Sequence, residues 1–124
     1  MTDHSAKADC QSLAKILDIV GNKWTVMIVA SLAKEPMRFN ALMRNIGGIS
    51  HRMLTLTLRS LEANGLVSRT AYATIPPKVE YDLTELGRSL IGPLRGLAVW
   101  ATEKQHVMEQ CRLKHEQDNA PASR

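Results

Sequence analysis

G-G-I-S-H-R-M-L-T-L-T-L-R-S-L-E-A-N-G-L-V, Gly47 to Val67, is the stretch whose reading decides the fold. It predicts one helix with both ends marked, Ser50 to Asn64. The Ser50 hydroxyl can accept from a backbone N–H left unpaired in the first turn. Gly65 reaches the left-handed conformation without a Cβ clash and suits the position just past the helix end. Leu54, Leu58 and Leu61 fall at i, i+4 and i+7 and form one apolar stripe. Leu66 and Val67 follow the stop and belong to the core.

The other face of this helix carries donors and methyl groups. Arg52, Leu56, Arg59 and Ala63 lie opposite the leucines, with Thr55 and Ser60 on the flanks. Ser50, His51, Arg52 and Thr55 crowd the N-terminal half. Such a face suits a DNA major groove, where arginine reaches guanine O6 and N7 and apolar groups touch the thymine methyl. Helices of this kind read bases from their N-terminal end. The alternative is an ordinary solvated face.

Charge is distributed unevenly along the chain. From Lys34 to Lys78 there are seven basic residues against two acids, Glu35 and Glu62. The remainder has nine basic and ten acidic residues, so the whole net charge of +4 comes from the middle third. A localised basic patch is the electrostatic footprint of a nucleic-acid binder. No basic amphipathic helix with bulky aromatics points to a membrane surface, and no apolar run is long enough to span a bilayer. The 124 residues fit one domain with a core of its own. The first ten residues lack an apolar signal segment, so the cytoplasm is the default.

Outward from the central helix, the rest of the chain takes order. Residues 1–9 read as a flexible arm, with Asp9 capping a helix from Cys10 to about Val20. Its inward stripe is Leu13, Ile16, Leu17 and Val20. Trp24 to Leu32 is apolar on nearly every side and predicts the central core helix. Met37 and Arg38 read as a short strand. A short helix from Phe39 to Asn45, the Gly47-Gly48 turn and the long helix make a helix-turn-helix pattern.

After Gly65 the period changes to two. Val67 to Leu83 reads as a β-hairpin whose tip, Thr74 to Lys78, is stiffened by Pro76 and Pro77. A hairpin directly after such a helix is a wing, with Arg69 and Lys78 placed to meet phosphate or minor groove. Thr84 caps a further helix, and Pro93 marks either a kink or a first turn. The last helix runs to about Lys114. Leu90, Leu94, Leu97, Ala101, Lys104, Met108 and Cys111 form an a/d seam along it, suited to pairing with a second copy. Packing back on its own domain is the alternative. Residues 10–116 then form the DNA-binding and dimerisation domain, and 117–124 a disordered tail.

These pieces resemble the HxlR-type family of winged-helix regulators, of MarR-like architecture. The matching residues are Cys10, G-N-K-W at Gly21 to Trp24, R-F-N-A-L at Arg38 to Leu42 and G-I-S-H-R-M-L-T at Gly48 to Thr55. L-R-S-L-E-A-N-G-L-V at Leu58 to Val67, P-P-K-V-E-Y-D-L-T-E-L-G at Pro76 to Gly87 and Trp100 complete them. The resemblance implies a mainly α, winged helix-turn-helix fold with N- and C-terminal dimerisation helices. It implies a cytoplasmic dimer that binds operator DNA and represses or activates nearby genes. In several members the N-terminal cysteine senses oxidants or electrophiles. Proline often follows that cysteine in the family; here Gln11 does.

The expected DNA-contacting set is Arg38, Ser50, His51, Arg52, Thr55, Leu56, Arg59, Arg69 and Lys78. The expected dimer contacts are Leu13, Leu17, Leu90, Leu94, Leu97, Trp100, Ala101 and Met108. Cys10 is the redox candidate: a helix N-terminus favours thiolate, while adjacent Asp9 works against it. Cys111, on the seam, reads as a small core residue. Two cysteines make no disulfide framework, and the four histidines show no metal-ligand spacing. No cofactor motif, glycine-rich phosphate loop or nucleophile elbow supports an enzyme. A protein-binding winged helix would carry an acidic or apolar second helix, against which Arg52 and Arg59 argue. Two alternatives stay open: non-specific architectural DNA binding, and a regulator that answers a small-molecule effector without thiol sensing.

Overall fold

The computed structural model describes the backbone of residues 2–120 and the side chains of residues 9–120. The chain runs α1 (Thr2–Val20), α2 (Lys23–Leu32), β1 (Met37–Arg38), α3 (Phe39–Ile46) and α4 (His51–Ala63). It continues through β2 (Val67–Tyr72), β3 (Lys78–Leu83), α5 (Glu85–Ser89) and α6 (Ile91–Asp118). The strands form one antiparallel sheet in the order β1-β3-β2. Residues up to Ile91 form one unit and those from Gly92 a second.

In the first unit the core is built where the stripes predict it. Leu54, Leu58 and Leu61 of α4 are buried with Ile28, Val29 and Leu32 of α2 and Leu42 of α3. Ile49, Leu66, Val67 and Leu83 close the space between helices and sheet. Burying each such side chain contributes about 1.5–3 kcal/mol. The buried hydroxyls are satisfied locally: Thr57 donates to the Met53 carbonyl at 2.7 Å and Thr25 to the Ile19 carbonyl at 3.2 Å. Ser31 donates to the Met27 carbonyl and accepts from Asn45 Nδ2 at 2.7 Å, which ties α3 to α2 through a polar contact.

Both ends of α4 are held by hydrogen bonds. The Ser50 hydroxyl accepts from Met53 N–H at 3.0 Å. At the other end Leu66 N–H bonds the Leu61 carbonyl at 2.9 Å and Gly65 N–H the Glu62 carbonyl at 3.1 Å. That pair is a Schellman closure, and it needs the positive φ of 78° that Gly65 supplies. The turn into α4 uses two further positive-φ residues, Gly47 and Gly48.

Several expectations change. The first helix begins at Thr2 rather than at Cys10, so residues 2–9 are helical. No glycine or proline interrupts 2–20, and nothing local stops the helix at Asp9. Its apolar stripe is not part of this chain's core: Leu13, Ile16 and Leu17 are 50–57% exposed. Leu90 is the C-cap of α5 and not a member of the last helix.

The second unit holds α6 from Gly92 onward; the helix starts at Ile91 and keeps Pro93 in its first turn without a break. The first N–H groups of a helix lack intrahelical acceptors, so proline is tolerated there. The helix passes Lys114 and takes in Gln117 and Asp118, which read from sequence as tail; residues 121–124 lie outside the described residues. None of its residues is buried. Leu97, Trp100 and Met108 are 50–59% exposed, Ala101 and Cys111 are exposed, and Leu94 is half-buried.

Candidate nucleic-acid interface

The exposed surface of α4 divides into two sides. His51, Thr55, Arg59 and Glu62, spaced 4, 4 and 3, turn toward the hairpin. Together with Phe39, Leu58, Arg69 and Tyr81 they line a groove of about 420 Å³. Arg52, exposed, and Leu56, 46% exposed, stand on the adjacent outward side. The His51 ring packs against Phe39, with centroids 4.6 Å apart and planes tilted by 47°. That contact anchors the start of α4 on α3. Thr55 donates to the His51 carbonyl at 2.9 Å, so its hydroxyl is engaged within the helix.

Strand register decides which basic residues join this groove. Arg69 pairs with Tyr81, and Met37 with Tyr81 on the other edge of β3. Cross-strand partners share a face. Arg69 and Tyr81 therefore lie on the sheet face that carries the buried Val67 and Leu83 and meets α4. Arg38 pairs with Glu80, and Thr70 with Glu80. Arg38 thus lies on the opposite face, in a shallow depression of about 430 Å³ with Glu35, Arg44, Asn45 and Glu80. Fold and register bring Arg59 and Arg69 together and keep Arg38 apart from them.

Lys78 is also on that opposite face. It is the first residue of β3 rather than part of the loop tip, and it pairs with Tyr72. Its Nζ sits 4.7 Å from the centre of the Tyr72 ring. The Tyr72 hydroxyl is raised above its ordinary value, chiefly by repulsion from the Glu80 carboxylate. Tyr72 and Glu62 are absent from the sequence-derived site. The signals for them are the period-two alternation beside Lys78 and the i+3 spacing from Arg59, and neither carries meaning until the strands are in register.

The hairpin is fastened to the end of α4 by α5. Thr84 N–H donates to the Leu66 carbonyl at 3.1 Å, and the Thr84 hydroxyl to the Gly65 carbonyl. The same hydroxyl accepts from Gly87 N–H at 3.1 Å and caps α5. Gly87 is buried there, and a Cβ on it would stand 2.1 Å from the Leu66 oxygen.

Cys10 and Cys111 are both exposed free thiols. Because α1 starts at Thr2, Cys10 is the ninth residue of the helix and not at its N-terminus. The helix-terminus field that favours a thiolate is confined to the first turn. Among the described residues no group of three or more His, Cys, Asp or Glu is placed to hold a metal ion. No helix among them is long and apolar enough to cross a membrane.

Comparison with known proteins agrees with this architecture. Residues 19–109 match the HxlR-like helix-turn-helix family. The chain is 42% identical over 96 residues to the uncharacterised HTH-type transcriptional regulator YybR of Bacillus subtilis (strain 168), covering 77% of each chain. Its fold is similar to that of the redox regulator HypR in the reduced form, with a TM-score of 0.74 and 39% identity over 80% of this chain and 98% of that one. The diamide-treated YodB of B. subtilis aligns with a TM-score of 0.66 and 32% identity, covering 74% of this chain and 91% of that one. The helix-turn-helix, the hairpin beside it and these matches place the chain in the HxlR-like helix-turn-helix family, winged-helix transcriptional regulators and not enzymes.

Proposed function

We propose that the protein is a sequence-specific DNA-binding regulator that reads a near-palindromic operator as a homodimer. The observation that carries this reading is the α4 surface. A helix capped at both ends presents Arg52 and Leu56 outward and Arg59 beside Arg69 of the hairpin, with the central basic excess around them. Guanidinium groups at that position read guanine edges, and the hairpin adds phosphate contacts. The uncovered apolar stripes of α1 and α6 supply surface for the second copy. Two α4 helices related by a two-fold axis then meet half-sites about one helical turn apart. Action on DNA in the cytoplasm is part of the same reading, supported by the family of transcriptional regulators to which the chain belongs. The test is a selection from random duplexes with the purified protein. Enrichment of an inverted repeat is expected. Retention of all sequences alike would leave only architectural, charge-driven binding.

A response to oxidants or electrophiles through Cys10 is the finer part of this reading. Its support is an exposed Cys10 thiol and the similarity to HypR and to diamide-treated YodB. Operator binding is compared for wild type and Cys10→Ser, before and after mild diamide and again after thiol reduction. A reversible change in wild type alone is expected. Identical behaviour of both proteins would remove Cys10 as the switch and favour a small-molecule effector instead.

A further inference from the structure

We infer that Tyr72 is a positioning residue for DNA binding, its ring face holding the Lys78 ammonium at the neck of the hairpin to meet a backbone phosphate. The inference rests on the DNA-binding reading above. Tyr72 and Lys78 are direct cross-strand partners, the last pair of the ladder before the loop of residues 73–77. The ammonium lies 4.7 Å from the ring centre, inside the range in which a cation is drawn to an aromatic face. Pro76 and Pro77 precede Lys78 and fix their own φ, which stiffens its approach to the strand.

The choice of partner matters for the charge that Lys78 presents. Glu80 lies two residues further along β3 on the same face. Pairing with that carboxylate would cancel the lysine's charge and turn the ammonium away from the hairpin neck. None of the ion pairs among the described residues includes Lys78. A neutral ring restrains the long side chain and leaves its positive charge intact. Lysine otherwise spreads over many rotamers, and that freedom is lost when it docks on phosphate.

The test is a double-mutant cycle on duplex binding, with selected and random DNA, over a range of salt. Lys78→Ala should weaken both duplexes alike and reduce the salt slope by about one unit. Tyr72→Val keeps a strong strand former and removes the ring; it should weaken both duplexes by about twofold to fivefold, the scale of an exposed cation–π contact. Tyr72→Phe should bind as wild type. In a Lys78→Ala background, Tyr72→Val should cost nothing more. An equal further loss there would mean that the ring touches DNA itself and would overturn the positioning role. So would an unchanged Tyr72→Val beside a weakened Lys78→Ala. If Lys78→Ala binds as wild type while the protein still selects its operator, the hairpin contact and this inference both fall. Tyr72→Thr repeats the comparison with a polar strand former, and unfolding midpoints of all variants check that the fold is kept.

Discussion

Arg52 and Gly87 carry opposite kinds of consequence. Arg52 is exposed, early on α4, and outside every ion pair seen among the described residues. Its removal should leave stability nearly unchanged. Arg52→Ala should cost about 1–3 kcal/mol on the selected operator and relax preference at one base pair. Equal loss on random DNA would show that Arg52 contacts only phosphate. Gly87 touches no DNA in this reading, yet a Cβ there meets the Leu66 carbonyl oxygen at 2.1 Å. That oxygen already accepts from Thr84 N–H, so the backbone is tied on both sides. Gly87→Ala should lower unfolding free energy by about 1–3 kcal/mol, measured by urea titration. A neutral result would mean that α5 can shift away from the end of α4 freely.

At the scale of elements, α4 depends on its caps. Ser50 accepts from Met53 N–H, and no acidic residue stands in the first turn to complement the helix dipole. Ser50→Ala should therefore cost about 1 kcal/mol of stability with an unchanged denaturant slope. Ser50→Asp should keep the cap and restore that stability. The same aspartate should weaken DNA binding by placing a negative charge at the contacting end of α4. A Ser50→Asp variant that binds as wild type would move the DNA away from this helix end. These boundaries were legible in the sequence because caps and glycine stops are local chemistry. The extent of α1 was not. Asp9 is a good capping residue, but residues 2–8 offer no helix breaker, so the helix continues through it.

At the scale of the whole molecule, the unpaired surfaces govern. The α1 stripe and the apolar side chains of α6 are both exposed in the isolated chain. Such surface is rarely left bare in a monomer. Sedimentation at micromolar concentration should report a dimer, and the thermal midpoint should rise with protein concentration. Replacing Leu97 or Trp100 with Glu should shift the protein toward monomer and weaken operator binding while leaving the first unit folded. A monomeric variant with full operator affinity would remove the dimer from the mechanism.

The helix-turn-helix, its caps, the leucine stripe and the hairpin were written in the chain itself. Each depends on spacing and on residues a few positions apart: Ser50 and Met53, Leu61 and Leu66, Val67 and Leu83 across a short loop. Tertiary structure decided which side chains share a face. Register put Arg69 with Tyr81 beside α4 and sent Arg38 and Lys78 to the other side of the sheet with Glu80 and Tyr72. A shift of one residue reverses every face of a strand, and that register is set by pairing across distances that local sequence does not encode. The same limit applies to the α1 stripe. Its periodicity marks an apolar face, but only the folded chain shows that the first unit's own core leaves that face uncovered.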